Sequence, residues 1–317
     1  MLDRLMIPGN GLKRVVALTL ALAASACSIQ RWAVDKAGDA LASDSSVVAR
    51  DDDPDFVRAA VPFSLELMES LLDQDPRHRG LLLATARGFT QYSYAFVQLD
   101  ADMLEDQDYV GSARLRQRAR RLYLRARDYG LRGLDAAHRQ FSETLRRDPQ
   151  AAALLLGPSD LPFVYWTAVA WAAAVSQAKD DPDMVGDLPR VDALAARASA
   201  LDRDFGGGAL QTFLISYEMA REARPDVARA HFDRAVSLSG GRSAAPYVAL
   251  AESVCVAQRS RGEFLRLLDQ ALAIDPDRHP DNRLENLIVQ RRARWLRERV
   301  DELFLPPMDT VQPEEKS

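Results

Sequence analysis

Cysteine is almost absent from this chain: its 317 residues hold two, Cys27 and Cys255. That excludes a disulfide-stapled fold and a zinc site built on cysteine pairs. Histidine is equally scarce, with His78, His138, His231 and His279. None stands at metal-ligand spacing from another or from a cysteine, so no metal is expected. No G-x-S-x-G, H-E-x-x-H, P-loop or G-x-G-x-x-G context occurs, so neither a cofactor nor a catalytic residue is expected. The chain reads as non-enzymatic. Only four lysines are present, and arginine supplies nearly all of the 41 basic residues. The formal net charge of -5 gives no reason to expect nucleic acid as a partner. Alternating strand patterns are scarce. Beyond the N-terminus no apolar run is long enough to cross a membrane; the most apolar, 161–178, is broken by Pro162, Ser176 and Gln177 and reads as a buried helix.

What is present begins with an export signal. Arg4, Lys13 and Arg14 precede the uncharged run VVALTLALAA over 15–24. The run is shorter than the roughly 20 residues a membrane-spanning helix needs, and it suits the apolar core of a signal peptide. Ala24, Ser25 and Ala26 then lead into Cys27. Small residues before a cut and a thiol after it are what a lipoprotein peptidase requires, so residues 1–26 are expected to be removed and Cys27 lipidated. The string departs from the usual lipobox in having Ala24 where leucine is common, and an ordinary signal peptidase would also accept it. Ser28, rather than Asp, follows the cysteine. In the sorting rule of Gram-negative lipoproteins that favours a periplasm-facing outer-membrane anchor. With Cys27 acylated no disulfide remains within the chain, and Cys255, inside the apolar pattern AESVCVAQ, reads as a buried free thiol.

Residues 27–54 are polar and acidic and read as a tether. From 55 to 305 apolar residues recur at three and four, which predicts an all-α domain. The helices are expected at 55–74, 79–100, 109–130, 132–147, 161–178, 188–202, 207–222, 225–238, 243–258, 261–274 and 281–303. Asp75-Pro76, Asp148-Pro149, Asp181-Pro182, Gly206 to Gly208, Gly240-Gly241 and Asp275-Pro276 punctuate them. Residues 306–317 read as a disordered tail. Ala228, Phe232 and Ala235 carry the small-large-small spacing of the second helix of a tetratricopeptide (TPR) pair, and Phe264, Leu268 and Ala271 form a related set. Ala198, Ala235 and Ala271 recur at steps of 37 and 36, so the expected fold is a TPR-like array, an α-solenoid of about four helix pairs.

Two features invite a binding role. Arg242 stands beside Gly240-Gly241 and Ser243, which suits an anion or partner contact as well as a plain capped loop. Aromatics gather on the first helices of successive pairs: Phe89, Tyr92, Tyr94 and Phe96; Phe163, Tyr165, Trp166 and Trp171; Phe213 and Tyr217; Tyr247. Tyr92, Phe96, Tyr165, Trp166, Tyr217 and Tyr247 are the candidate walls of an apolar ligand channel, with plain core packing the alternative. The arginine-rich stretch 114–147 reads as a wet face or a docking patch.

The strings GFTQYSYAFVQ (88–98), RARRLYLRARDYGLRGL (118–134), LPFVYWTAVAW (161–171), KDDPDMVGDLP (179–189), FLISYE (213–218), HFDRAVSLSGGRSAAPYVALAE (231–252) and QRRARWLRERVDELFL (290–305) together resemble the TatT component family. These are lipoproteins of tripartite ATP-independent periplasmic (TRAP) transporters. The resemblance covers roughly 55–305. It implies a TPR-like fold, a homotrimer, a hydrophobic channel through each protomer for a small apolar or amphipathic ligand, and association with a periplasmic TRAP solute-binding protein. A general TPR-like scaffold of the cell envelope is the competing expectation.

Overall fold

In a computed structural model, residues 45–304 are described; the expected signal peptide, Cys27 and the expected tail 306–317 lie outside them. The described residues are helical, with no strand among them, and form a helical repeat. A short helix α1 (Ser45–Ala49) leads into α2 (Pro54–Gln74). Four helix pairs follow. The first joins α3 (Arg79–Ser93), continued by a π-helical turn (Tyr94–Gln98) and α4 (Leu99–Leu104), to α5 (Tyr109–Ala137). After α6 (Phe141–Arg147) and α7 (Pro149–Leu154), the second pair is α8 (Leu161–Ser176) with α10 (Leu188–Leu201), linked through α9 (Pro182–Val185). The third is α11 (Ala209–Glu222) with α12 (Pro225–Ser239). The fourth is α13 (Ala245–Leu250), continued by a second π turn (Ala251–Cys255), with α14 (Arg261–Leu272). Helices α15 (Arg283–Glu298) and α16 (Val300–Leu303) close the array.

The Asp-Pro dipeptides do the punctuating. Asp148 and Asp181 accept hydrogen bonds from the first free amides of α7 and α9, and the following proline opens each helix. Asp53 caps α2 in the same way. An oxygen at the cap satisfies amides that have no partner inside the helix, and proline at the first position gives up no bond. The small residues at repeat spacing are fully buried at Ala228, Ala235 and Ala271. They permit close approach: a side chain at Gly208, the residue before α11, would lie 3.0 Å from the Ala235 carbonyl of α12.

Two expectations about boundaries need correction. The tether was expected through residue 54, yet its last stretch is structured: Arg50 donates to Asp281 at 2.7 Å, and Arg283 donates to the Arg50 carbonyl at 3.1 Å. A break was expected near residue 131, but α5 runs unbroken through Gly130 and Gly133. Those glycines are contact points rather than stops. A methyl at Gly133 would overlap the Phe163 ring of α8, and one at Gly130 would meet Thr167. The arginine-rich stretch is largely paired within the chain: Arg116 with Glu105, Arg120 with Asp181, and Arg125 with Glu69.

The apolar interior divides into two clusters. One runs from Val57 to Leu214 and takes in Leu284; the other runs from Ile215 to Phe304. Helix α15 straddles them, with Leu284 in the first and Val289 in the second. Its buried amides fix it in place. Asn286 accepts from the Ala244 amide and donates to the Arg242 carbonyl, each at 2.9 Å. Gln290 donates to the carbonyls of Ala271 and Ile274.

Candidate functional site

Polar and titratable groups collect where α15 crosses between the two cores. Arg292, 7% exposed, pairs with Glu252 and lies 2.9 Å from Asp102, and its guanidinium sits 4.3 Å over the Trp295 ring. Burial opposes the charge on Arg292, but Glu252 and Asp102 more than offset it, and its pKa is raised. Desolvation pushes the Asp102 carboxyl up, although Arg292 and Arg116 pull it down. About two turns toward the start of α15, Glu285 accepts from the Ser243 hydroxyl at 3.2 Å, and burial raises its pKa.

Glu285 and Tyr94 share an informative combination. Burial raises the pKa of both, Tyr94 to about 12, yet Glu285 is exposed and Tyr94 keeps 38% of its surface accessible. Neighbouring protein shifts both groups although each keeps part of its surface open to solvent. Tyr94 feels Arg292, Glu252, Asp102 and Glu285 electrostatically, and Tyr165 of α8 feels Glu285. Groups from the end of α3, the start of α15, the second π turn and α8 therefore lie within electrostatic reach of one another.

Both π turns serve this arrangement. Tyr94 opens the first and Glu252 lies in the second. An extra residue in a helical turn re-aims the side chains that follow, and such turns recur at functional sites. Here the two turns present a tyrosine and a carboxylate to the surroundings of Arg292.

The six aromatic candidates fall into three places. Tyr92 and Phe96 lie 5.6 Å apart in the first core, with Arg58 of α2 5.2 Å over Phe96. Tyr165 and Trp166 make an edge contact at 5.0 Å, and Tyr165 also meets Phe205 and Phe213. Tyr217 stacks on Phe213 and donates to Asp192 at 2.5 Å. Tyr247 pairs with Phe232 in a separate open groove, of about 430 Å³, bordered by Arg229, Glu263 and Leu267. Arg242 is exposed, and its Nε donates to the Ser239 carbonyl at 2.8 Å.

Sequence reasoning missed Glu285, Arg292, Glu252 and Asp102. No motif marks them, because their partners lie on helices far apart in the chain. Tyr94 was seen among the aromatics but not chosen as a wall. The histidines do not converge: His138 contacts Asp160 at 2.8 Å and His231 contacts Gln211 at 2.7 Å. Among the described residues no cluster of His, Cys, Asp and Glu could hold a metal ion, and no helix is long and apolar enough to cross a membrane.

Comparison with known proteins agrees with the resemblance read from the sequence. The chain is 30% identical over 267 residues to an uncharacterized protein of Treponema pallidum (strain Nichols), covering 82% of this chain and 83% of that one. The family model described as TRAP transporter T-component matches residues 50–304, essentially all of the described helical body. The chain belongs to the TRAP transporter T-component family.

Proposed function

We propose that this protein is a non-enzymatic, lipid-anchored accessory of a TRAP transporter that docks the periplasmic solute-binding protein and holds or passes a small amphipathic ligand through its interior. Family membership supports the transporter association. The observation that carries the ligand role is the accessible but protein-ringed position of Glu285 and Tyr94. A solid scaffold has no need of a carboxylate kept wet inside its body, since burying such a charge is costly unless it is paired or solvated. The Tyr165–Trp166 pair, within electrostatic reach of Glu285, suits a ligand with an apolar body and a polar end. Holding and passing such a ligand requires shape and polarity, not a nucleophile or a general base.

In this reading Cys27 carries the lipid, and the anchor faces the periplasm from the outer membrane. The working unit is a homotrimer, as the family resemblance implies. The test uses the mature chain with Cys27→Ser, which cannot be lipidated. Immobilised, it should retain the TRAP solute-binding protein encoded with it at micromolar concentration. Loss of retention at those concentrations overturns the docking role.

A further inference from the structure

One face of α2 is left uncovered by the described body. Val57, Leu65 and Leu72 point into the first core. The outer side carries Phe56, Ala59, Ala60, Phe63 and Leu67, all exposed, at the three-and-four spacing of a single helix face. Phe63 keeps 75% of its surface and Phe56 63%. A helix packed on a core normally turns polar residues to water. An apolar ridge along two or three turns of its outer side marks a contact site instead.

A row of arginines stands beside this ridge. Arg114, Arg118 and Arg121 of α5 are exposed and share one helix face with Arg125, at steps of four, three and four. None of the three makes an ion pair or a hydrogen bond among the described residues. Arg125 pairs with Glu69 and lies 3.9 Å from Glu66. Glu66 is exposed on the ridge side of α2, between Phe63 and Leu67, so the ridge and the arginine row look the same way. The two helices run in the same direction: Arg125 meets Glu69, and further on Arg132 donates to the Pro76 carbonyl at 3.3 Å. Carried back one and two turns, that register sets Arg121 and Arg118 beside Phe63.

We propose that the ridge and the arginine row form a face that lies on an anionic lipid surface, with Phe56, Phe63 and Leu67 entering the headgroup region and Arg114, Arg118 and Arg121 meeting lipid phosphates. Apolar and aromatic side chains beside basic ones are what an interfacial contact requires, and a guanidinium fits a phosphate with paired donors. Shape favours lipid over a protein partner. Phe56 and Phe63 stand about 10 Å apart on the outside of a helix; fluid lipid takes up such side chains without preformed pockets. Charge disfavours a second copy of this chain, because a two-fold axis would bring two sets of unpaired arginines into one interface. Position agrees as well: Pro54, which opens α2, follows Cys27 by 27 residues, so the face adjoins the anchored end. That last point alone rests on the lipid-anchor reading. The chain as a whole carries a net charge of -5, so the attraction is local and falls with salt. Asp52 and Asp55 weaken it at the Phe56 end, and the Phe63 end leads.

The test sediments the mature Cys27→Ser chain, which carries no lipid, with vesicles of phosphatidylglycerol and phosphatidylethanolamine, and separately with vesicles of phosphatidylcholine. At low salt the chain should bind the anionic vesicles at least about tenfold more tightly than the neutral ones, and high salt should erase the difference. Phe63→Ser should weaken binding to the anionic vesicles about tenfold. Arg118→Gln combined with Arg121→Gln should weaken it about as much, and should leave any residual binding to neutral vesicles unchanged. All three positions are exposed, so circular dichroism melts that match the parent chain show the variants to be folded. Binding that either variant leaves intact, or that is equal on the two kinds of vesicle, overturns the proposal. Absence of binding by the parent chain does so too; if Phe63→Ser then breaks up an oligomer seen by analytical ultracentrifugation, the face belongs to a second copy. Whether Cys27 carries lipid is read separately, by metabolic lipid labelling, and none of these outcomes bears on it.

Discussion

Replacing Arg292 by methionine should destabilise the protein in a way that depends on pH. The side chain is 7% exposed and holds Glu252 and Asp102 on either side of its guanidinium. Methionine matches much of its length and can keep contact with the Trp295 ring. The change therefore removes the charge more than the packing. It leaves two carboxylates facing each other with no cation between them. Removing one partner of a buried ion pair costs roughly 3–5 kcal/mol. The Glu252 side chain keeps 39% of its surface and Asp102 keeps 16%, so water relieves part of the penalty. The lower end, about 3 kcal/mol, is the expected loss at neutral pH. For a body of this size that lowers Tm by about 6–12 °C. The Asp102 pKa is already raised by desolvation in the presence of Arg292, and it must rise further without it. A carboxyl whose folded pKa exceeds its unfolded value disfavours the folded state at high pH, and the penalty fades as pH falls through the folded pKa. Thermal unfolding followed by circular dichroism at pH 7.5 and pH 4.5 measures both points. The gap between wild type and Arg292→Met should narrow at pH 4.5. A loss under about 1 kcal/mol at pH 7.5, or a gap indifferent to pH, refutes the electrostatic account of this cluster.

Further expectations follow from other parts of the structure. Asp160 is 2% exposed; burial opposes its charge, but the Gly157 amide, His138 and Arg79 overcome it and hold the carboxyl below the usual range. Its contribution is present above the unfolded carboxylate pKa and is lost as pH falls through the lower folded value. Asp160→Asn should therefore cost about 2 kcal/mol at pH 7, with the difference from wild type shrinking as pH falls below the ordinary carboxylate range in denaturant melts. Gly133→Ala should lose about 1–2 kcal/mol, since overlap with Phe163 outweighs the gain in helix propensity, and Phe163→Leu in the same chain should restore part of it. Cys255 is fully buried, and burial pushes its thiol up to about 12. In the folded protein it should stay unlabelled by a maleimide at pH 7.5 and react promptly in guanidinium.

The helices and their ends were legible because the signals are local. The aspartates before Pro54, Pro149 and Pro182 cap the helices that those prolines open, and the apolar spacing gave the faces. The repeat was legible in Ala228, Ala235 and Ala271, whose burial is complete. Gly130 and Gly133 misled because glycine marks both a helix stop and a close helix contact, and only the partner, Thr167 or Phe163, tells them apart. The π turns were not legible: YAFVQ and AESVC continue an ordinary helical pattern, and the extra residue leaves no compositional trace. The polar cluster was hidden for another reason. Arg292 sits in the string QRRARWLRERV, where nothing in the sequence separates the buried arginine from its exposed neighbours.

The central claim, an interior recess open to water, is tested most directly by thiol labelling of Glu285→Cys in the Cys27→Ser chain. The native Cys255 is the internal control, since it is buried in the same body. A charged, water-soluble methanethiosulfonate at pH 7.5 should modify the introduced thiol to completion in the folded protein and leave Cys255 untouched. If the introduced cysteine proves as unreactive as Cys255 until the protein is unfolded, Glu285 faces packed protein rather than water, and the passage account is contradicted.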